Sequence, residues 1–299
     1  MSQIAVRSYK QLVEKFELPD PEEQIMPGII WGRFDQLFTP AYWSVQAWQN
    51  TYENTNSNYR IGNTVIEEIV ACSLGGYGIP AEVGLAAFYR IRESGLVSNN
   101  SPSENEIFKI LSEPLMVHER KVHYRFVNQR SKNLSLILKR LFDEEIPVTD
   151  SYAFRQWLIR LPGIGLKTAS WITRNWLNSD MLAILAIHVL RAGMIMGLFY
   201  PTEYPNRNYL AMENKFITFA KNIRVQPSKL DTLIWSQMRE AGKVAIRAAN
   251  KVVPAFRLPA FPFRRFAKKV TRITRHVAHL IYNHPIQQFP SPYCAACSV

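Results

Sequence analysis

The chain has 299 residues, 47% apolar and 20% charged, enough to bury a sizeable core in one or two domains and too apolar for a wholly disordered chain. A formal net charge of +12 and a pI near 9.7 point to a polyanionic partner, nucleic acid before a membrane surface. All 24 acids precede residue 241, as do 26 of the 36 Lys and Arg, so the first 240 residues carry only +2 and the excess charge is C-terminal.

Residues 1–60 join a short amphipathic start at 9–16 to a Pro- and aromatic-rich stretch at 19–48, read as a peripheral layer on the core, and a polar loop, Asn54-Thr55-Asn56-Ser57-Asn58. No secretory signal is expected at Met1-Ser2-Gln3. The core is expected to begin with a helix over 61–73, where Val65, Ile66, Ile69, Val70 and Cys72 recur at helical spacing. Leu74-Gly75-Gly76-Tyr77-Gly78-Ile79-Pro80 interrupts that pattern as an irregular projecting loop with Tyr77 at its tip, and Pro80 suits the start of a helix over 81–92. After a linker at 98–103, helices are predicted over 104–111 and 120–141. The second is strongly basic, with Arg120, Lys121, His123, Arg125, Arg130, Lys132, Lys139 and Arg140 available to phosphates.

Leu161-Pro162-Gly163-Ile164-Gly165 then forms a tight turn between two helices, the second opening with Leu166-Lys167-Thr168-Ala169-Ser170 and running through Trp171, Ile172, Trp176 and Leu177. Gly163 and Gly165 allow positive φ and close backbone approach. The amides that open the second helix can then point outward at an anion, where the helix dipole also favours negative charge, so one phosphate fits there. Polar Asn178-Ser179-Asp180 leads to Ile184-Leu185-Ala186-Ile187-His188-Val189-Leu190-Arg191. The window 181–199 is the most apolar of the chain, yet His188 and Arg191 sit at its centre, so a buried helix is expected rather than a membrane span.

Beyond it come a Pro/Asn-rich turn region at 200–208, an amphipathic helix at 211–223 and a late helix at 228–242 that carries Trp235, Gln237 and Met238. The tail has a Pro/Phe/Arg linker at 254–265 and an amphipathic helix at 266–282 with Val270, Ile273, Val277 and Leu280 in one stripe, an appendage for DNA or for a protein partner. Cys72, Cys294 and Cys297 make no disulfide framework, and Cys294-Ala-Ala-Cys297 lacks the second pair that a metal site would need. No strand pattern supports a parallel sheet and no repeat is present, so the expected fold class is all-α.

The run from Leu161 to Ala169, the polar Asn178-Ser179-Asp180 and the stretch after Ile184 together resemble the helix-hairpin-helix signature of the HhH-GPD superfamily of DNA glycosylases. The likeness is specific over 159–191, extends back to residue 61 and is silent beyond 242. It implies two helical subdomains with a DNA groove and base pocket between them, and a chain divided into a layer at 1–60, a core at 61–242 with its hairpin at 152–178, and a basic extension at 243–299. Lys167 stands where the strand-nicking members carry their catalytic lysine. Position 186, nineteen residues on and the place of the family's catalytic aspartate, is alanine. In the family that aspartate caps the next helix and turns its carboxylate to the sugar; Asp→Ala at an N-cap costs about 0.5–2 kcal/mol. Ala186 is read as an Asp→Ala substitution that spares binding and stops turnover, with natural loss of the carboxylate as the other account.

The resemblance further implies a base-excising glycosylase with β-lyase activity on double-stranded DNA holding a modified base, 8-oxoguanine first. Lys167 would be the nucleophile; Gly163, Ile164, Gly165, Lys167 and His188 would meet the backbone, with Arg125 and Arg130 beside them. Tyr77 would fill the gap left by the extruded nucleotide, and Trp235, Gln237 and Met238 would close the base pocket. The carbonyls of Ile159, Leu161 and Ile164 would hold a monovalent cation. The four-cysteine run of the iron–sulfur branch is missing, so no cluster or other cofactor is expected. The protein is expected to be a monomer in the cytoplasm, nucleoid-associated if prokaryotic. Two alternatives stay open: a glycosylase for another modified base, including bases of phage DNA, and a helix-hairpin-helix DNA-binding module without chemistry.

Overall fold

The computed structural model describes residues 1–9, 12–52, 59–76, 78–98 and 102–252. Tyr77, the loop at 54–58, and the tail from 253 onward with its stripe of Val270, Ile273, Val277 and Leu280 and with Cys294 and Cys297 lie outside the described residues. Among the described residues, eleven α-helices carry the fold, with three small two-stranded antiparallel sheets beside them. The architecture is mostly helical, as expected.

The described part of the amphipathic start is strand. β1 (Gln3–Tyr9) pairs with β2 (Leu12–Leu18) from Gln3↔Leu18 to Tyr9↔Leu12. Alternation along the two strands buries Ala5 and Leu18 and leaves Ile4 and Val6 in solvent. β3 (Gln24–Met26) and β4 (Ile29–Ile30) form a second ribbon. α1 (Pro40–Gln49) starts where Thr39 Oγ1 accepts the Tyr42 amide and Pro40 occupies the first turn, and it sends Trp43 into full burial.

α2 (Val65–Leu74) begins four residues later than predicted, because 61–64 serve as its lead-in. Glu68 Oε2 accepts the amides of Ile61 and Gly62, and Thr64 caps Glu67. α3 (Ala81–Glu93) follows Pro80, and α4 (Glu104–Ser112) is opened by a reciprocal Ser103–Glu106 capping box. The basic helix predicted over 120–141 is corrected at its start. β5 (Leu115–Val117) and β6 (Arg120–Val122) form a hairpin whose turn residues His118 and Glu119 both take positive φ, and α5 (Val127–Asp143) opens only after Phe126. Arg120, Lys121, His123 and Arg125 therefore precede the helix.

α6 (Ser151–Leu158), capped by Asp150, and α7 (Leu166–Leu177) make the predicted hairpin. α8 (Ile187–Ile195), α9 (Pro205–Asn222), α10 (Pro227–Ala241) and α11 (Lys243–Val252) follow. α2 to α7 enclose a core that includes Ile69, Phe88, Ile107, Leu138, Phe154 and Ile172. α1, α8 and α9 pack on α10, and α11 packs on α8, so helical structure continues past 242, where the extension was expected to begin. Two buried ion pairs tie the groups together, Arg155 of α6 to Glu213 of α9 and Arg174 of α7 to Asp231 of α10. Among the described residues no helix is long and apolar enough to cross a membrane.

Candidate active site

The turn between α6 and α7 is anchored by its apolar residues: Leu161 and Ile164 are buried while Gly163 and Gly165 face out. The Leu161 amide donates to the Leu158 carbonyl at 3.0 Å and the Ile164 amide to the Leu161 carbonyl at 3.2 Å. Gly163 has φ +78°, and a Cβ there would collide with the Asn133 side chain, so this position requires glycine. Gly165 does not take the positive φ expected of it. It is the extended N-cap of α7 (φ −95°), and a Cβ there would meet nothing. The first turn of α7 thus has no side-chain cap, and the space before its amides is open to an anion. The carbonyls of Ile159, Leu161 and Ile164 are neutral hard oxygens, the donor type a monovalent cation accepts.

Lys167 lies in that first turn, half-buried, and burial pushes its amine below the ordinary lysine range. Among the described residues no carboxylate pairs with it, and a desolvated, unpaired lysine is the state in which a neutral, nucleophilic amine is most accessible. Arg130 of α5 donates to the Gly75 carbonyl at 3.3 Å, and exposed Arg125 lies over the Phe126 ring at 4.9 Å. Both arginines border the loop that follows α2.

Ala186 is the N-cap of α8, with extended backbone and no side-chain cap, and its carbonyl accepts the Leu190 amide. The three residues before it are held by side chains from two other helices. The Ala183 amide donates to Glu213 Oε1 at 3.1 Å, the Ile184 amide to Asp231 Oδ2 at 3.2 Å and the Leu185 amide to Tyr209 Oη at 3.4 Å. Burial raises the Asp231 carboxyl, and Arg174 beside it works in the opposite direction. None of Glu213, Asp231, Tyr209, Arg155 and Arg174 was singled out in the sequence; their only signal is a charge or hydroxyl on an otherwise apolar helix face.

His188, in the first turn of α8, meets Trp235 of α10 edge to face at 6.3 Å, and Arg239 lies over the same Trp235 ring at 5.1 Å. Burial, then the charges of Arg191 and Arg239, push the imidazole down to about 4, and its buried Nδ1 has no hydrogen-bond partner among the described residues. A neutral His188 can meet a phosphate or base by hydrogen bonding, not as a cation. Trp235 and His188 are therefore brought together. Met238, the third residue expected at the base pocket, is fully buried in the core. Gln237 is engaged with α1, its Oε1 accepting from Tyr42 Oη and its Nε2 donating to Gln46 Oε1, both at 2.7 Å.

Comparison with known proteins follows the same stretch. Residues 47–225 match the family model Ogg-HhH, described as 8-oxoguanine DNA glycosylase. An 8-oxoguanine DNA glycosylase/AP lyase of Saccharolobus islandicus is 30% identical over 122 residues, 38% of this chain and 58% of the relative. That of Saccharolobus solfataricus is 30% identical over 121 residues with the same coverages. The chain thus spans somewhat over half the length of the curated relatives it matches. The crystal structure of the 8-oxoguanine DNA glycosylase of Thermotoga maritima is similar in fold, with TM-score 0.50 and 21% identity over 69% of this chain and 97% of that one.

Proposed function

This chain belongs to the 8-oxoguanine DNA glycosylase family of the helix-hairpin-helix type, and from that premise we propose that its site binds duplex DNA, receives an extruded modified base and is built for base excision with β-lyase chemistry. The observation that carries the reading is Lys167: a half-buried amine, depressed by burial, in the first turn of the helix that follows an outward-facing Gly-x-Gly turn. The turn amides would hold one phosphate of the strand, which positions the duplex without reading its sequence. A monovalent cation on the carbonyls of Ile159, Leu161 and Ile164 would add positive charge beside that phosphate.

Extrusion costs a few kcal/mol, least for a damaged or mispaired base, and so begins the selection. The neutral Lys167 amine would attack C1′ as the glycosidic bond breaks and the base departs with the bonding pair. Loss of the amine proton and opening of the sugar then give an imine, and removal of a C2′ proton expels the 3′ phosphate. The family names make 8-oxoguanine the first substrate to try. Position 186 opens α8, where a carboxylate would stabilise the cationic sugar and help move the proton. Ala186 offers neither, so this form is read as impaired by an Asp→Ala replacement. The uncapped Ala186 equally favours a second reading, a DNA-binding module without chemistry.

Ala186→Asp separates the two. With 8-oxoguanine duplex and a panel of other modified bases, the aspartate form should nick the damaged strand where the alanine form only binds it. Binding without nicking by the aspartate form on every base of the panel would overturn the enzymatic reading in favour of the module.

A further inference from the structure

Position 186 is set by a brace. Its own amide donates to the Ile184 carbonyl at 2.7 Å, and the three preceding amides each end on a different side chain of α9 or α10. Tyr209 Oη completes a closed loop by donating to the Ala183 carbonyl at 2.9 Å while accepting from Leu185. The carboxylates in the brace are tied in turn to the two helices that flank the Lys167 turn. Glu213 Oε2 meets Arg155 Nη1 of α6 at 2.5 Å, and Ser170 of α7 donates to Glu213 Oε1 at 3.3 Å. Asp231 Oδ1 meets Arg174 Nη2 of α7 at 3.2 Å and also accepts from Thr232. Both pairs are at most 5% exposed.

Buried ion pairs of this kind are a poor source of stability, since packed apolar residues of similar volume usually do as well or better. Two such pairs converging on consecutive amides therefore call for another role. We propose that Asp231 and Glu213, with Tyr209, are positioning residues that fix residue 186 relative to Lys167, coupling the hairpin to the start of α8 through Arg174 and Arg155. The proposal rests on the catalytic reading of positions 167 and 186. It adds that the geometry between them is imposed by acceptors on α9 and α10, and not by the local chain, which has no regular structure from Met181 to Ala186.

The test removes the ion pair while either keeping or deleting the acceptor. Two double variants are made in the full chain: Arg174→Met with Asp231→Leu, which leaves the Ile184 amide without a partner, and Arg174→Met with Asp231→Asn, which keeps an oxygen for it. In the Ala186→Asp background, single-turnover excision should fall at least about tenfold in the Leu pair and return to within about threefold of the parent in the Asn pair. The dissociation constant for 8-oxoguanine duplex should move less than about twofold in both. A merely structural role predicts equal rates in every folded variant, and that result, or an Asn pair as slow as the Leu pair, would overturn the proposal. Amide exchange at Ala183, Ile184 and Leu185 is read in parallel with alanine kept at 186. Exchange there should accelerate in the Leu pair and not in the Asn pair. If the aspartate parent does not excise at all, it is the catalytic reading that fails, and unchanged protection at Ile184 in the Leu pair still rejects the brace. Should the Leu pair not fold, Tyr209→Phe removes only the hydroxyl and should accelerate exchange at Leu185; no acceleration there counts against the proposal.

Discussion

Among the helices of the described residues that begin without a side-chain cap, α7 at Gly165 and α8 at Ala186 have opposite surroundings. At Gly165 the backbone is held by turn hydrogen bonds of its own, and the space before the amides is open. Glycine is a tolerable N-cap and alanine a poor one, so the missing cap at α7 leaves amides free for a ligand at little cost. At Ala186 the preceding amides are already consumed by Glu213, Asp231 and Tyr209, and only the cap itself is missing. The same absence thus leaves open amides at one helix and, at the other, a cap missing from an otherwise braced segment. Comparing the two shows that a helix start must be judged by what its neighbours leave unsatisfied.

The sharpest way to break the comparison is at the amine beside the open start. In the Ala186→Asp background, borohydride should trap the protein covalently on 8-oxoguanine DNA, and Lys167→Gln should abolish the adduct while sparing DNA binding. Equal trapping by the glutamine form would remove Lys167 from the chemistry and leave the open start of α7 as a binding device alone.

Next in size is the contrast within the turn. Gly163→Val forces a β-branched residue to φ +78° and against Asn133, which should cost about 2–4 kcal/mol in a denaturant titration. Gly165→Val meets open space and an extended φ, so folding should lose under about 1 kcal/mol. DNA affinity should nonetheless drop about tenfold, about 1.4 kcal/mol, for damaged and undamaged duplex alike. A loss confined to damaged DNA would show that Gly165 faces the base and not a phosphate.

These two glycines also mark what could be read in the sequence. The hairpin was legible because Pro162 and Gly163 punctuate two apolar periodicities, and the starts of α3 and α4 were legible from Pro80 and from the polar linker that ends at Ser103. The β5–β6 hairpin was not, since its turn is His118-Glu119, without the Asn or Gly that signals positive φ, and its basic residues continue smoothly into α5. The N-terminal strands were read only as an amphipathic start. The brace was illegible for another reason: Arg155 and Glu213 lie 58 residues apart, and nothing local marks either as a partner of the other. Met238 shares α10 with Trp235, yet Met238 is fully buried while Trp235 meets His188.

A smaller effect tests the electrostatics around α8. His188 is held down to about 4 in the folded protein against about 6.5 in an unfolded chain. Between those values the unfolded state takes up the proton and the folded state does not, so stability should fall as pH drops from about 6.5 to about 4, and no further from this group below that. Allowing for the partial exposure of the ring, the loss should be up to about 2 kcal/mol. His188→Gln should flatten that part of the pH profile relative to the parent while leaving the response to other groups in place. An unchanged slope would mean that the imidazole is not desolvated as Trp235, Arg191 and Arg239 arrange it.

The smallest effect separates the cap from the carboxylate at position 186. Ala186 has the extended backbone of an N-cap (φ −73°, ψ 165°), and the first turn of α8 lacks a side-chain acceptor. Serine there can accept the amide two or three residues on without bringing a charge toward the sugar. Ala186→Ser should therefore raise folding stability by about 0.5–2 kcal/mol, as aspartate should, while only the aspartate form gains strand cleavage. If serine stabilises and also restores nicking, the missing element was the order of α8 and not the charge. If neither residue stabilises, the amides of α8 are already satisfied, and the contrast between the starts of α7 and α8 fails at its second member.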